Sequence, residues 1–75
     1  IAIPNSVTSI GNGAFINCNS LKEVYCKPTT PPLIYHTFDN NASDRKLYVP
    51  RNSVDAYKSA TGWSDYADCI VGYDF

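Results

Sequence analysis

The sequence has no long apolar run and little net charge, and these two absences exclude classes of partner. The chain of 75 residues carries a formal net charge of −1 at pH 7. It therefore offers no electrostatic attraction to nucleic acid or to an anionic membrane surface. No apolar run approaches the roughly 20 residues that a membrane-spanning helix needs. We expect neither nucleic-acid binding nor membrane insertion.

The residues and motifs that carry catalysis are also scarce. There is one histidine, His36, and the chain contains neither a G-x-S-x-G motif nor a phosphate-binding loop. A catalytic histidine needs a positioned nucleophile and an orienting partner, and the sequence supplies neither near His36. We expect no enzymatic activity, no catalytic residue and no cofactor.

Cysteine occurs three times, as Cys18, Cys26 and Cys69. This odd number leaves at least one thiol unpaired unless it bonds another chain. Free cysteine is among the most buried residue types, so we expect structural thiols, with Cys18 and Cys26 in the core. A Cys26–Cys69 disulfide is an alternative that spacing does not decide. A zinc site formed by Cys18, Cys26 and His36 is disfavoured because it lacks a fourth ligand and the spacing of a zinc finger.

What the chain does contain is a period of 23 residues. The recurring apolar positions are Ile1, Val24 and Leu47; Ile3, Cys26 and Val49; Ile10 and Leu33; and Phe15 and Phe38. A unit of this length cannot bury its own apolar side and must stack on a neighbour. We predict one domain, an α/β-type solenoid of short parallel strands and short helical corners. Repeat 1 spans 1–23, a degenerate repeat 2 spans 24–46, and a strand with a C-terminal helical cap spans 47–75.

The first unit carries a family resemblance. Its pattern I-P-x-S-V-x-x-I-G-x-x-A-F-x-x-C-x-S-L resembles the leucine-rich repeat of the BspA type. The matching residues are Ile3-Pro4, Ser6-Val7, Ile10-Gly11, Ala14-Phe15, Cys18 and Ser20-Leu21. The match is specific over 1–25 and loose over 26–50, and the tail from Val49 onward resembles the segment that often closes such arrays. The resemblance implies the C-terminal fragment of a longer leucine-rich-repeat array on a bacterial cell-surface or secreted protein, used for adhesion or ligand capture.

Local signals predict the smaller elements. Proline has no N–H for a strand ladder, so Pro4 and Pro50 should each end a strand. The predicted corners are a short helical turn at 14–17 and its counterpart at 33–38. The first predicted cap element is a helix at 54–60, capped by Asn52 or Ser53 and ended by Gly62. A further turn at 64–68 follows, capped by Ser64. A final strand or edge segment is predicted at 70–73. The period is no longer recognisable around Trp63, and we expect Trp63, Tyr57 and Tyr66 to cover the last open face of the stack.

Two loops invite functional readings that we disfavour. The proline-rich segment 27–32 predicts a rigid detour packed on its neighbours rather than a PxxP ligand. Segment 39–44 has alternating oxygen donors, but it lacks the glycine and closing glutamate of a calcium loop. We expect a solvated loop there. The triplet Asn41-Ala42-Ser43 fits an N-glycosylation acceptor, which we do not expect to be used in a bacterial protein.

The candidate ligand surface is the outward column of the strands. If the apolar columns face inward, Ala2, Tyr25 and Tyr48 face outward, and Glu23 lies beside Lys46 as an opposite-charge pair contributing about 0.2–1 kcal/mol. Two stacked tyrosines flanked by charges form a flat platform suited to a peptide or a sugar ring. The alternative is cross-strand stacking that only stabilises the sheet.

Two functional hypotheses follow. The first is a non-catalytic interaction or adhesion module that binds a host or bacterial surface protein or a glycan. The second is a purely structural segment that caps or spaces the repeat array and has no ligand of its own. In either case, the unpaired edge of the first strand could pair with another chain and cause self-association.

Overall fold

The computed structural model describes all residues from Ile1 to Phe75, and its centre is a four-stranded parallel sheet. The strands, in the order β1-β2-β3-β4, are β1 (Ala2–Ile3), β2 (Glu23–Cys26), β3 (Lys46–Pro50) and β4 (Ile70–Tyr73). Between β3 and β4 lie a 3₁₀ helix (Arg51–Ser53), helix α1 (Val54–Ser59) and a second 3₁₀ helix (Ser64–Cys69). No helix combines the length and apolarity required to cross a bilayer.

The strand register repeats the period of the sequence. Tyr25 pairs with Ala2 on one side and with Tyr48 on the other, and Tyr48 pairs in turn with Val71. Because every pair has the same offset, equivalent side chains of successive strands lie in columns. The predicted adjacency of β2 and β3 is confirmed. The segment at 70–73, predicted as a final strand or an edge segment, is a strand, and β4 continues the same offset.

The inward columns and the corner aromatic residues form the core. Its strand residues are Ile3, Val24, Cys26, Leu47, Val49 and Ile70. Phe15 and Phe38 stack with ring centroids 5.8 Å apart and planes within 4°. The two rings lie one above the other at corner positions 23 residues apart, as the period predicts.

The corners are hydrogen-bonded turns, so the predicted helical turn at 14–17 is wrong. The N–H of Ala14 donates to the carbonyl of Gly11, and that of Ile16 donates to Gly13, each at 3.1 Å. Gly13 and Asn17 have φ angles of 64° and 62°. Residues in this left-handed region interrupt a right-handed helix, so each turn closes without propagating.

Asparagine side chains connect one corner to the next. Asn40 Nδ2 donates to Asn17 Oδ1 at 2.8 Å, and Asn41 Nδ2 donates to the carbonyl of Phe15 at 2.7 Å. Asn41 is buried, so the expected solvated loop is wrong at this position. The amide nitrogen of the glycosylation triplet is used inside the fold.

The proline-rich segment packs against two aromatic residues of the helical region. The Tyr57 hydroxyl donates to the carbonyl of Pro28 at 2.5 Å, and Trp63 Nε1 donates to that of Pro32 at 2.8 Å. Tyr57 and Trp63 are fully buried and pack edge to face, with centroids 4.8 Å apart. The predicted packing of 27–32 on its neighbours is confirmed, since two of its carbonyls accept hydrogen bonds from the buried side chains of Tyr57 and Trp63.

The prediction that Pro50 ends a strand is confirmed, since it is the last residue of β3, where it pairs with Tyr73. Details of the helical elements differ from expectation. Helix α1 ends one residue early, at Ser59, and its N-cap Ser53 is buried and makes no side-chain capping bond. Ser64 begins the second 3₁₀ helix rather than capping it.

The cysteines are all free thiols, so the disulfide alternative is excluded in this structure. Cys26 is buried, and burial raises the pKa of its thiol to about 12. Cys18 is exposed, against the expectation that it would lie in the core. No three histidine, cysteine, aspartate or glutamate side chains are grouped so that they could hold a metal ion.

Candidate ligand-binding surface

The outward column of the sheet presents two stacked tyrosines. The rings of Tyr25 and Tyr48 lie 4.9 Å apart between centroids with an interplanar angle of 11°. Both are half-buried, and the exposed residues Ala2 and Val71 extend the column at either end. The alternation of side chains along each strand produces this arrangement, because every second residue faces away from the core.

A third tyrosine completes the aromatic surface. Tyr73 lies 5.7 Å from Tyr25 and 5.4 Å from Tyr48, at interplanar angles of 70° and 64°. A ring that is nearly equidistant from two stacked rings and steeply inclined to both lies across their edges, not between them. Phe75 follows, 4.9 Å from Tyr73. We call Tyr25, Tyr48, Tyr73 and Phe75 the outer aromatic cluster.

The predicted charge pair beside the tyrosines is not formed. Glu23 and Lys46 are register partners and both are exposed, but the ion pairs of the structure are His36–Asp39 and Arg51–Asp74. An exposed pair gains little in water and costs side-chain entropy. Partial burial raises the pKa of Tyr25, and the Glu23 carboxylate contributes in the same direction. The Tyr25 hydroxyl therefore stays protonated at neutral pH and can donate a hydrogen bond.

A groove lies at the carboxyl end of the strands, beside Tyr73. It encloses about 380 Å³ and is lined by Lys27, Thr29, Pro50, Arg51, Asn52, Ser53, Tyr73, Asp74 and Phe75. We call it the end groove. Arg51 donates from Nε to Asp74 Oδ1 at 2.8 Å and from Nη2 to Oδ2 at 3.3 Å. These hydrogen bonds, with the guanidinium charge, lower the pKa of Asp74.

Sequence reasoning missed the end groove and Tyr73. The signal was present, because Tyr73 follows Pro50 and Asp74 follows Arg51 by the same 23 positions that separate the other equivalent residues. Extending the period past Val49 would have placed Tyr73 and Asp74 next to Pro50 and Arg51. The sequence of the segment between β3 and β4 differs from the repeat, and for that reason the period was not extended to these residues.

Comparison with known families agrees with this geometry. The model of the BspA type leucine rich repeat region (6 copies) matches residues 1–61. The chain belongs to the BspA-type leucine-rich repeat family. A search of curated proteins found no match.

Within this BspA-type chain, the candidate residues divide between matched and unmatched sequence. Tyr25 and Tyr48 lie inside the matched residues, whereas Tyr73, Asp74 and Phe75 lie beyond them. The tyrosine column thus belongs to the repeats, and the end groove is formed where the repeats meet the C-terminal residues. The chemistry available at this surface is stacking, hydrogen bonding and weak charge attraction.

Proposed function

We propose that this BspA-type chain is a non-catalytic binding module that serves adhesion or ligand capture on a cell-surface or secreted protein. The observation that supports the proposal most is the outer aromatic cluster on the outward side of the sheet. Tyrosine is enriched among residues that dominate binding energy, because its ring offers contact area and its hydroxyl offers a hydrogen bond. The expected partner is a host or bacterial surface protein or a glycan.

Sheet stability alone accounts poorly for the whole cluster. Stacking between Tyr25 and Tyr48 stabilises neighbouring strands, and this would suffice for those two residues. Tyr73 and Phe75, however, remain 42% and 51% exposed, although they contact each other and Tyr73 also contacts the stack. Contiguous apolar surface of this kind is a feature of interaction sites on soluble proteins.

We further propose that the stacked strands form a solenoid and that 47–75 is a strand with a C-terminal cap, in which the helical segment 51–69 covers the stack. Supporting this, Trp63 and Tyr57 are fully buried, and Trp63 packs on Phe38 with centroids 5.6 Å apart. A terminal repeat needs a cover for its apolar side. At the other end, β1 pairs only with β2, so its second edge is a candidate for pairing with another chain.

The binding proposal is tested on arrays of glycans and host surface proteins. The 75-residue chain is compared with the double variant Tyr25→Ala/Tyr48→Ala and with Tyr35→Ala as control. Tyr35 is 60% exposed and lies outside the cluster. We expect the double variant to lose about tenfold or more in affinity for each bound ligand while keeping its circular dichroism spectrum, and the control to bind normally.

The architectural hypothesis predicts the opposite result. If the segment only caps or spaces the array, the parent chain will bind no array feature, and that result would overturn the binding function. Unchanged binding in a folded double variant would overturn the proposed role of the two tyrosines.

A further inference from the structure

The composition of the end groove restricts the kind of ligand that it fits. Its volume of about 380 Å³ is near the lower limit of small-molecule sites, which are about 300–1,000 Å³ and mostly apolar. Six of its nine lining residues are polar or charged, and Pro50, Tyr73 and Phe75 add apolar surface. Hydrogen-bonding groups and apolar surface therefore lie side by side in the groove. A ligand with one apolar face and many hydroxyl groups fits this arrangement.

The Arg51–Asp74 pair forms a preoriented polar wall in this groove. The guanidinium fork hydrogen-bonds to both carboxylate oxygens of Asp74, an arrangement that orients the two groups toward each other. The pair uses two of the five N–H donors of Arg51 and leaves further lone pairs on Asp74. Because both side chains are largely exposed, the pair contributes little to folding. The free N–H donors of Arg51 and the free lone pairs of Asp74 suit a neutral ligand that can both donate and accept hydrogen bonds.

Tyr73 supplies the apolar side of the same groove. Its ring lies across the edges of the Tyr25–Tyr48 stack, which holds it in place while 42% of the residue stays exposed. The face of an aromatic ring is electron-rich and attracts polarised C–H groups. A pyranose ring presents such C–H groups on one face and hydroxyl groups around its rim.

We propose that the end groove binds a pyranose unit of a neutral saccharide, which stacks on Tyr73 and hydrogen-bonds with Arg51 and Asp74. The inference rests on the proposed binding function and names its ligand class. A second groove, of about 280 Å³ along Asn5, Thr8 and 28–31, has no aromatic lining and is not expected to bind the same ligand.

Amide chemical-shift mapping tests this proposal with the methyl pyranosides of glucose, galactose, mannose and N-acetylglucosamine. We expect at least one of them to shift the amides of Lys27, Arg51, Tyr73 and Asp74. Tyr73→Ala should weaken that binding about tenfold or more, whereas Tyr73→Phe should preserve it because the ring remains. Arg51→Lys should weaken binding because it removes the fork. Tyr35→Ala is the matched control.

Several results would overturn the saccharide assignment. The first is the absence of shifts with all four glycosides at about 100 mM, a concentration that detects dissociation constants well into the millimolar range. The second is an unchanged affinity in folded Tyr73→Ala. The third is a set of shifts confined to the second groove. If no glycoside binds but array proteins bind and are lost in Tyr25→Ala/Tyr48→Ala, the saccharide inference fails and the proposed function stands. If glycosides bind at Tyr73 and the double variant keeps its array ligands, only the role of the tyrosine column fails.

Discussion

Truncation of Phe38 should damage this fold severely. Phe38 is fully buried, and its ring lies 5.8 Å from Phe15, 5.6 Å from Trp63 and 5.8 Å from Tyr66, measured between centroids. The substitution Phe38→Ala therefore removes contacts between the first unit, the second unit and the helical region at once. Phe38 itself belongs to the second unit, so its ring joins all three parts.

The size of the effect follows from burial. Truncating a buried phenylalanine to alanine costs about 3–5 kcal/mol, because transfer free energy is lost and a cavity remains. At about 0.05–0.15 kcal/mol per residue, the whole chain should have a free energy of unfolding of about 4–11 kcal/mol. Phe38→Ala should thus lose a large share of the total. Leu33→Ala is the matched control, since Leu33 is 75% exposed and should change stability by less than about 0.5 kcal/mol.

Urea denaturation followed by tryptophan fluorescence measures the difference. Trp63 is the only tryptophan and packs directly on Phe38, so its emission reports the region that the substitution disturbs. We expect a large drop in the unfolding midpoint for Phe38→Ala and almost none for Leu33→Ala. A loss below about 1 kcal/mol for Phe38→Ala, well under the range for a fully buried ring, would refute the described core.

Three further predictions concern individual contacts. Tyr57→Phe should cost about 1–3 kcal/mol in thermal or urea unfolding, because the buried carbonyl of Pro28 loses its donor; unchanged stability would contradict that bond. The hydrogen bond from Tyr66, and after it the one from His36, lowers the pKa of Asp39. The Asp39 carboxylate therefore contributes its full stabilisation of the fold above the unfolded pKa of about 3.9. That contribution is lost as the pH falls through the lowered folded pKa. Melting temperature should fall more between pH 6 and pH 3 for the parent than for Asp39→Asn, and parallel curves would argue against the network. Gly62→Ala should destabilise the fold by more than about 1 kcal/mol, because φ at Gly62 is 89° and a Cβ would lie 2.6 Å from the carbonyl oxygen of Ile34. A melting curve identical to that of the parent would exclude that strain.

The sequence was sufficient to predict the parts of the fold that follow from periodicity. A constant offset of 23 residues determines which strands are neighbours and which side chains share a column, so the pairing of Tyr25 with Tyr48 and the stacking of Phe15 on Phe38 were predictable. Side-chain alternation then sends Tyr25 and Tyr48 outward. These features depend on backbone geometry alone.

Features that depend on local backbone conformation or on weak side-chain interactions were not predictable. The left-handed conformations at Gly13 and Asn17 end each corner turn, and no periodicity specifies them. Exposed Glu23 and Lys46 gain too little from pairing to be fixed together. The end groove was missed because the corner before β4 is a helical segment in place of the repeat's turn, and Trp63 does not occupy the position that the period assigns to an aromatic residue.

The most direct test of the proposed binding function is the location at which a bound ligand contacts the chain. Amide chemical-shift mapping with the strongest ligand from the arrays should show changes at Tyr25, Tyr48 and Tyr73, which lie on one outward surface. Changes centred instead on Leu33 and Tyr35, two exposed apolar residues outside the cluster, would contradict the assignment of the outer aromatic cluster as the binding surface.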